Sequence, residues 1–320
     1  SLAPDALKSI QFCYMVLGKT DEAMKITDQY VESNPNSPFA PEFLFKKGEM
    51  FYTDKRFKDA ISEYENFIQK YPGNEKNSEA IYWMAKSYLA LNDLDNAEKT
   101  FNRVLVSFPK TDYAAQSLLE LGLIKKQQAD ISAADSIFKL LQKNYPDNPA
   151  SAQAGFEMAS IRYSLGDTNS AIALFREIAE KFKGMEYADQ SRYRLAMHYR
   201  LTGKTDSAIA EFQFLATNPD INANKPSLSA EAQYRIGEIY MRSGNCPDAI
   251  KSYKIVQERF VGFEDWFTLA LLNLGECYER IVDYSSAASV YEEIIKYRSE
   301  DDYGKTAKRR HSLLKNLEKK

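Results

Sequence analysis

Residues 41–72 read PEFLFKKGEMFYTDKRFKDAISEYENFIQKYP, and this stretch decides the architecture. Phe45, Gly48, Phe51 and Tyr52 fall at i, i+3, i+6 and i+7, which is one face of a helix. Thr53, Asp54 and Lys55 interrupt the apolar pattern. Phe57, Ala60, Ile61, Tyr64 and Ile68 mark a second helical face, and Pro72 closes the unit. The spacing predicts helix A, a short turn, helix B and a linker. Gly48 and Ala60 are small where the two helices must approach most closely. Tyr64, one turn beyond Ala60 on the same face, is expected to fill the space against the next helix A.

The unit recurs. Ala23, Ala60, Ala97, Ala134, Ala171 and Ala208 are spaced by 37 residues, and after a four-residue insertion the beat resumes at Ala249 and Ala287. Four residues after each alanine stands an aromatic ring: Tyr64, Phe101, Phe138, Phe175, Phe212, Tyr253 and Tyr291, with Thr27 as the exception. Twelve residues before it stands a small residue: Gly48, Ala85, Gly122, Ala159, Ala196, Gly237 and Gly275, with Gln11 in the first unit. A fixed period of this length means stacked repeats, because one helix pair cannot bury both of its faces alone.

Further positions keep the register. Gly18, Gly166, Gly203 and Gly244 stand five residues before the alanine, and Asn92 takes that place in the third unit. These residues suit the left-handed conformation that ends a helix. Lys55, Ala129 and Val282 depart, so their turns are expected to be built otherwise. Pro35, Pro72, Pro109 and Pro146 close the early units. Residues 217–229, TNPDINANKPSLS, read as a loop. VGFEDWF brings Val261, Phe263, Trp266 and Phe267 together and reads as helix packing. At the C-terminus, Tyr303, Ala307, Leu314 and Leu317 share one face of a terminal helix that covers the last repeat. Lys305, Lys308, Arg309, Arg310 and Lys315 are assigned to its solvated face.

Composition excludes several classes of function. The chain is 44% hydrophobic and 27% charged, with a net charge of −3, so nothing pulls it strongly toward nucleic acid. No stretch approaches the ~20 apolar residues of a membrane span. Residues 1–5 show no basic region followed by an apolar core, so no secretory signal is read there. Cys13, Cys246 and Cys277 form no CxxC or Cys/His cluster, which argues against zinc; a Cys246–Cys277 bridge stays open. His198 and His311 stand beside no nucleophile motif, and no phosphate-cradling or metalloprotease motif is present. The expectation is a protein without catalytic residues, cofactor or metal.

The order of residues resembles the tetratricopeptide repeat: Gly48, Phe51, Ala60, Tyr64, Pro72; Ala85, Tyr88, Ala97, Phe101, Pro109; Gly237, Tyr240, Ala249, Tyr253. The resemblance implies an all-α, right-handed superhelical solenoid. About eight helix-turn-helix units are expected over residues 1–301 (1–36, 37–73, 74–110, 111–147, 148–184, 185–225, 226–263 and 264–301), with a capping helix over 302–320. Junctions such as FPKTDYAAQSLLELG are similar to a bacterial envelope subset. That subset includes the helical lipoprotein of the outer-membrane β-barrel assembly machine and the periplasmic Tol–Pal coordinator.

In the resembled family helix A lines a concave groove. The residues this assigns to a protein-binding stripe are Phe45, Tyr52, Tyr82, Lys86, Phe156, Tyr163, Tyr193, Arg200, Tyr234 and Arg242. A carboxylate clamp of the chaperone-binding kind is absent in the second and third repeats, whose places hold Phe45, Glu49, Tyr82 and Lys86. The implied function is a scaffold for protein or peptide partners, with no small-molecule substrate and no nucleic acid. The implied location is the periplasm or outer-membrane periphery, with no membrane span and with peripheral envelope association; a cytoplasmic regulatory or RNA-associated adaptor is the alternative. Replacing Tyr82, Tyr163 and Tyr193 together by alanine is expected to abolish partner binding and leave helicity intact.

Overall fold

The computed structural model describes residues 4–317. Every regular element among them is a helix. The helices alternate as A and B members of consecutive pairs: α1 (Pro4–Val16) and α2 (Thr20–Ser33), α3 (Ala40–Thr53) and α4 (Phe57–Lys70), α5 (Asn77–Ala90) and α6 (Leu94–Ser107), α7 (Asp112–Gln127) and α8 (Ile131–Asn144), α9 (Pro149–Ser164) and α10 (Thr168–Lys181), α11 (Glu186–Leu201) and α12 (Thr205–Thr217). A short helix, α13 (Pro219–Asn224), precedes the pairs α14 (Pro226–Arg242) and α15 (Cys246–Arg259), and α16 (Glu264–Arg280) and α17 (Tyr284–Tyr297); α18 (Asp302–Leu317) is the last described helix. The helices form two compact units, one through Met158 and one from Ala159 onward, with the division inside α9.

Within each unit the periodic residues make the core. The eight alanines of the ruler are fully buried. Tyr64, Phe101, Phe138, Phe175, Phe212, Tyr253 and Tyr291 are 0–2% exposed, and each burial removes roughly 150–250 Å² of ring from water. The small residue opposite is matched to the ring it faces. Ala85, Ala159 and Ala196 belong to repeats with phenylalanine. Gly48, Gly237 and Gly275 meet tyrosine, and a Cβ at those glycines would lie 2.5–2.6 Å from the ring. Gly122, facing Phe138, is the one glycine paired with phenylalanine.

The first repeat lacks both partners, and the structure joins the two departures. Gln11 and Thr27 are buried, and Gln11 Nε2 donates to Thr27 Oγ1, which itself donates to the Ala23 carbonyl at 2.9 Å. A polar pair that satisfies itself replaces the small-residue and ring contact.

The turns correct one expectation. Lys55, Ala129 and Val282 adopt φ of 60°, 61° and 64°, the same left-handed state as Asn92 and the turn glycines. The turn is therefore the same throughout. In each, the following N–H reaches back to helix A, as from Arg56 to the Phe51 carbonyl at 2.9 Å and from Asp283 to Tyr278 at 2.9 Å. Holding an L-residue there costs about 1–2 kcal/mol. Val282 is 67% exposed, so its side chain offsets little of this. Val282→Gly is expected to stabilise the chain by up to about 1 kcal/mol after the extra unfolded-state entropy of glycine is subtracted. A urea midpoint that falls instead would refute it.

One further turn signal lies four residues before the alanine. Asp93, Asp130, Asp167, Asn245 and Asp283 cap helix B by accepting from the N–H of the third residue on, at 3.0–3.4 Å. Such a cap stabilises by about 1 kcal/mol.

The insertion is helical and not a loop: α13 opens on Pro219, and its Ile221 is 3% exposed. In the aromatic cluster, Phe267 is buried, Phe263 and Trp266 are half-buried and Val261 is exposed. Helix α18 packs on α16 and α17 through Ala307 and Leu314, while the Leu317 side chain lies outside the described set. Arg310 departs from the expected solvated face: it pairs with Glu276 at 3.0 Å and Glu279 at 3.3 Å on α16. Cys246 and Cys277 are buried free thiols. Burial, reinforced by the adjacent Cys246, pushes the Cys277 thiol up to about 12.

Candidate protein-binding site

The A helices of successive repeats are tied to each other by polar rungs. Lys86 pairs with Glu120 at 2.5 Å and Lys126 with Glu157 at 2.5 Å in the first unit. In the second unit Tyr193 Oη donates to Glu231 at 2.7 Å, Arg200 pairs with Glu238 at 3.4 Å, and Asn273 Nδ2 donates to Tyr234 Oη at 3.1 Å. These pairs are partly shielded from water, so they are screened less than surface pairs. Burial and the Glu231 carboxylate push the Tyr193 phenol up to about 12.

The ten stripe residues do not share one environment. Phe45, Tyr82, Phe156 and Tyr234 are 2–8% exposed and are core residues, which corrects their assignment to an open face. They stand three residues before the small residue and so share its face. Phe45 packs on Phe67 and Tyr64 at 5.5 and 5.7 Å, Tyr82 on Phe101 at 5.7 Å, and Tyr234 on Tyr253 at 5.9 Å. Tyr82 also drops out of the triple substitution, because its removal would damage packing. Tyr52 is half-buried between Phe57 and Trp83, at 5.4 and 4.9 Å. Lys86 is held by Glu120. Tyr163, Tyr193, Arg200 and Arg242 remain at a surface, and all four belong to the second unit.

Those four line or border two pockets that share Leu201. One, of about 460 Å³, lies between α9 and α11, with Tyr163, Tyr193, Met197 and Leu201 among its walls. The other, of about 360 Å³, opens where α11 and α14 end, beside Arg200 and Arg242. Tyr163 Oη lies 3.4 Å from His198 Nδ1. Burial, with Lys204 second, holds His198 below the usual histidine range, so its ring is neutral at neutral pH. Two buried polar atoms at these pockets have no partner: Ser160 Oγ and Arg200 Nε. Leaving such a group unpaired costs about 1–3 kcal/mol.

Leu201, 70% exposed, and Arg194 were not singled out by the sequence reading. The usable signal was an apolar residue at the last position of helix A or just past it, as at Leu165, which is 71% exposed. In the first unit a cleft of about 560 Å³ runs along Glu65, Asn66, Gln69 and Arg103, and it is mostly polar. Among the described residues, no His, Cys, Asp and Glu side chains gather as a metal site, and no helix is long and apolar enough to cross a membrane.

Comparison with known proteins agrees with this architecture. Profiles described as tetratricopeptide repeat match residues 51–121, and residues 14–75 and 234–302; one described as tetratricopeptide repeat-like domain matches residues 123–260. The outer membrane protein assembly factor BamD of Caulobacter vibrioides is 23% identical over 120 residues, which span 35% of this chain and 39% of that protein. The C-terminal part of a repeat-containing protein from Cytophaga hutchinsonii superposes with a TM-score of 0.59 at 13% identity, over 82% of this chain and 98% of that one. The latter likeness concerns the fold alone.

Proposed function

The chain belongs to the tetratricopeptide repeat family, and from that premise we propose that it is a non-enzymatic scaffold that binds protein or peptide partners on its helix-A face. The observation that carries this reading is the pair of adjoining pockets on the α9, α11 and α14 side of the second unit. The first has mostly apolar walls and the second mixed ones, and both are open, yet α11 and α14 are already braced by polar rungs. A face held in place before binding loses little freedom on binding, which favours affinity. We place the scaffold in the bacterial envelope, at the periplasm or outer-membrane periphery. The similarity to a segment of BamD, named as an outer membrane protein assembly factor, supports that placement.

The test is site-specific crosslinking in the source cell. A photoreactive benzoylphenylalanine at Tyr163 is expected to capture a discrete partner. The same probe at Val106, 82% exposed on α6, is expected to capture none. Adding Tyr193→Ala and Leu201→Ser should reduce capture at least tenfold with the helical circular dichroism unchanged. Equal capture from both probe positions would defeat the reading. Cell fractionation that leaves the protein outside the envelope would defeat the placement.

A further inference from the structure

We propose that the two pockets sharing Leu201 form one recognition site for an acidic peptide segment, in which a bulky apolar side chain enters the α9–α11 pocket and a neighbouring carboxylate meets the arginines beside it. The proposal rests on the protein-binding reading above and adds the chemistry of the partner.

The first pocket has room for a large side chain and mostly apolar walls. Its single formal charge is Arg194, which is exposed and makes no hydrogen bond or ion pair among the described residues. A cation on an apolar wall orients a ligand that brings both an apolar group and an anion. The second pocket is lined by Arg200 and Arg242 and by no carboxylate. Leu201 forms a wall of each, so an extended chain crossing it reaches both.

The charges of this site do not cancel. Arg200, Arg235 and Arg242 converge on one carboxylate, Glu238, at 3.4, 3.0 and 2.7 Å. Glu231 serves Arg235 at 3.1 Å and also accepts from Tyr193. Three arginines, Arg194, Arg200 and Arg242, line the two pockets and no carboxylate does, on a chain whose net charge is −3. The Arg242 side chain is 69% exposed, so half of its fork is open to a second acceptor. Each pocket also has one buried polar atom without a partner beneath its wall, Ser160 Oγ at the first and Arg200 Nε at the second. A nucleic-acid strand fits less well: Glu231 and Glu238 stand among the arginines and repel a continuous row of phosphates, and each phosphate contact would need its own free cation.

The experiment uses the full chain and fluorescence anisotropy. The probe is a labelled 12-residue peptide with one tryptophan flanked by aspartate and glutamate. Its comparators carry asparagine and glutamine for the acids, or serine for the tryptophan, and a single-stranded oligonucleotide is the competitor. The acidic tryptophan peptide should bind, and either comparator should bind at least tenfold more weakly. Arg194→Glu and Arg242→Glu should each weaken it at least tenfold. Met197→Ala with Leu201→Ser should remove the preference for tryptophan over serine. Equal binding of the amide peptide, indifference to both charge reversals, or stronger binding of the oligonucleotide each overturns the proposal. Crosslinking from Tyr163 separates the two claims. Capture that persists undiminished in the Arg194→Glu, Arg242→Glu protein overturns the acidic-partner inference and leaves the scaffold reading standing; equal capture from Val106 removes both.

Discussion

Replacing Phe101 with alanine is expected to destabilise the first unit by about 3–5 kcal/mol. The ring is 0% exposed on α6 and packs against Tyr82 of α5. Its loss removes apolar burial and leaves a cavity that two braced helices cannot close. The effect should be local, because each repeat is stabilised mainly by its neighbours. Hydrogen exchange should therefore quicken most in α5, α6 and α7 and least in α16 and α17. Val106→Ala on the same helix, at a site 82% exposed, is the control and should change the urea midpoint little. A Phe101→Ala midpoint equal to that of the control would show that the periodic ring is not what holds the repeat.

A Gly48→Ala substitution is expected to cost about 1–3 kcal/mol from overpacking, in spite of the better helix propensity of alanine. A Cβ there would sit 2.6 Å from Tyr64 Cε1, and the fully buried ring has nowhere to retreat. The compensating change is Tyr64→Phe. The Tyr64 hydroxyl is buried without a partner, so removing it alone should be neutral or slightly stabilising. The double variant recreates the alanine–phenylalanine pairing that Ala85–Phe101, Ala159–Phe175 and Ala196–Phe212 already use. Because the overlap is with ring carbons that phenylalanine keeps, and a Cβ at Gly122 would overlap Phe138 in the same way, recovery should be partial and come from a ring free to shift once its hydroxyl is gone, giving a coupling of up to about 1 kcal/mol in a double-mutant cycle. Additive costs would mean that the glycine is not set by the size of the ring it meets.

Some of the architecture could be read directly from the residue order and some could not. The alanine, the ring and the small residue were each visible, because helical spacing puts them on fixed faces. The pairing of glycine with tyrosine was equally visible but needs the two helices to be brought together before it has a meaning. The turns misled at Lys55, Ala129 and Val282: composition suggests a different turn, yet the packing of helices A and B imposes the left-handed state regardless. The insertion misled in the opposite sense. Prolines and asparagines signal a loop, but Pro219 suits the first turn of a helix and burial of Ile221 holds it there.

The candidate site was less legible than the fold. Helical spacing puts the residue three before the small residue on the buried face of helix A, as with Phe45 and Gly48, but the family resemblance assigned Phe45, Tyr82, Phe156 and Tyr234 to an open groove. Against helix B those same positions are interior. Arg310 was placed in solvent, since Glu276 and Glu279 belong to another helix.

The order of residues by itself determined helix pairs, their number, their register and the family. Each of these follows from periodicity within one chain segment, where side-chain direction is fixed by the backbone. Only the tertiary structure decided which rings are buried, that Gln11 and Thr27 satisfy each other, and that Leu201 joins two pockets under a surplus of arginine. Those properties depend on distances between residues far apart in the chain, and packing alone sets such distances.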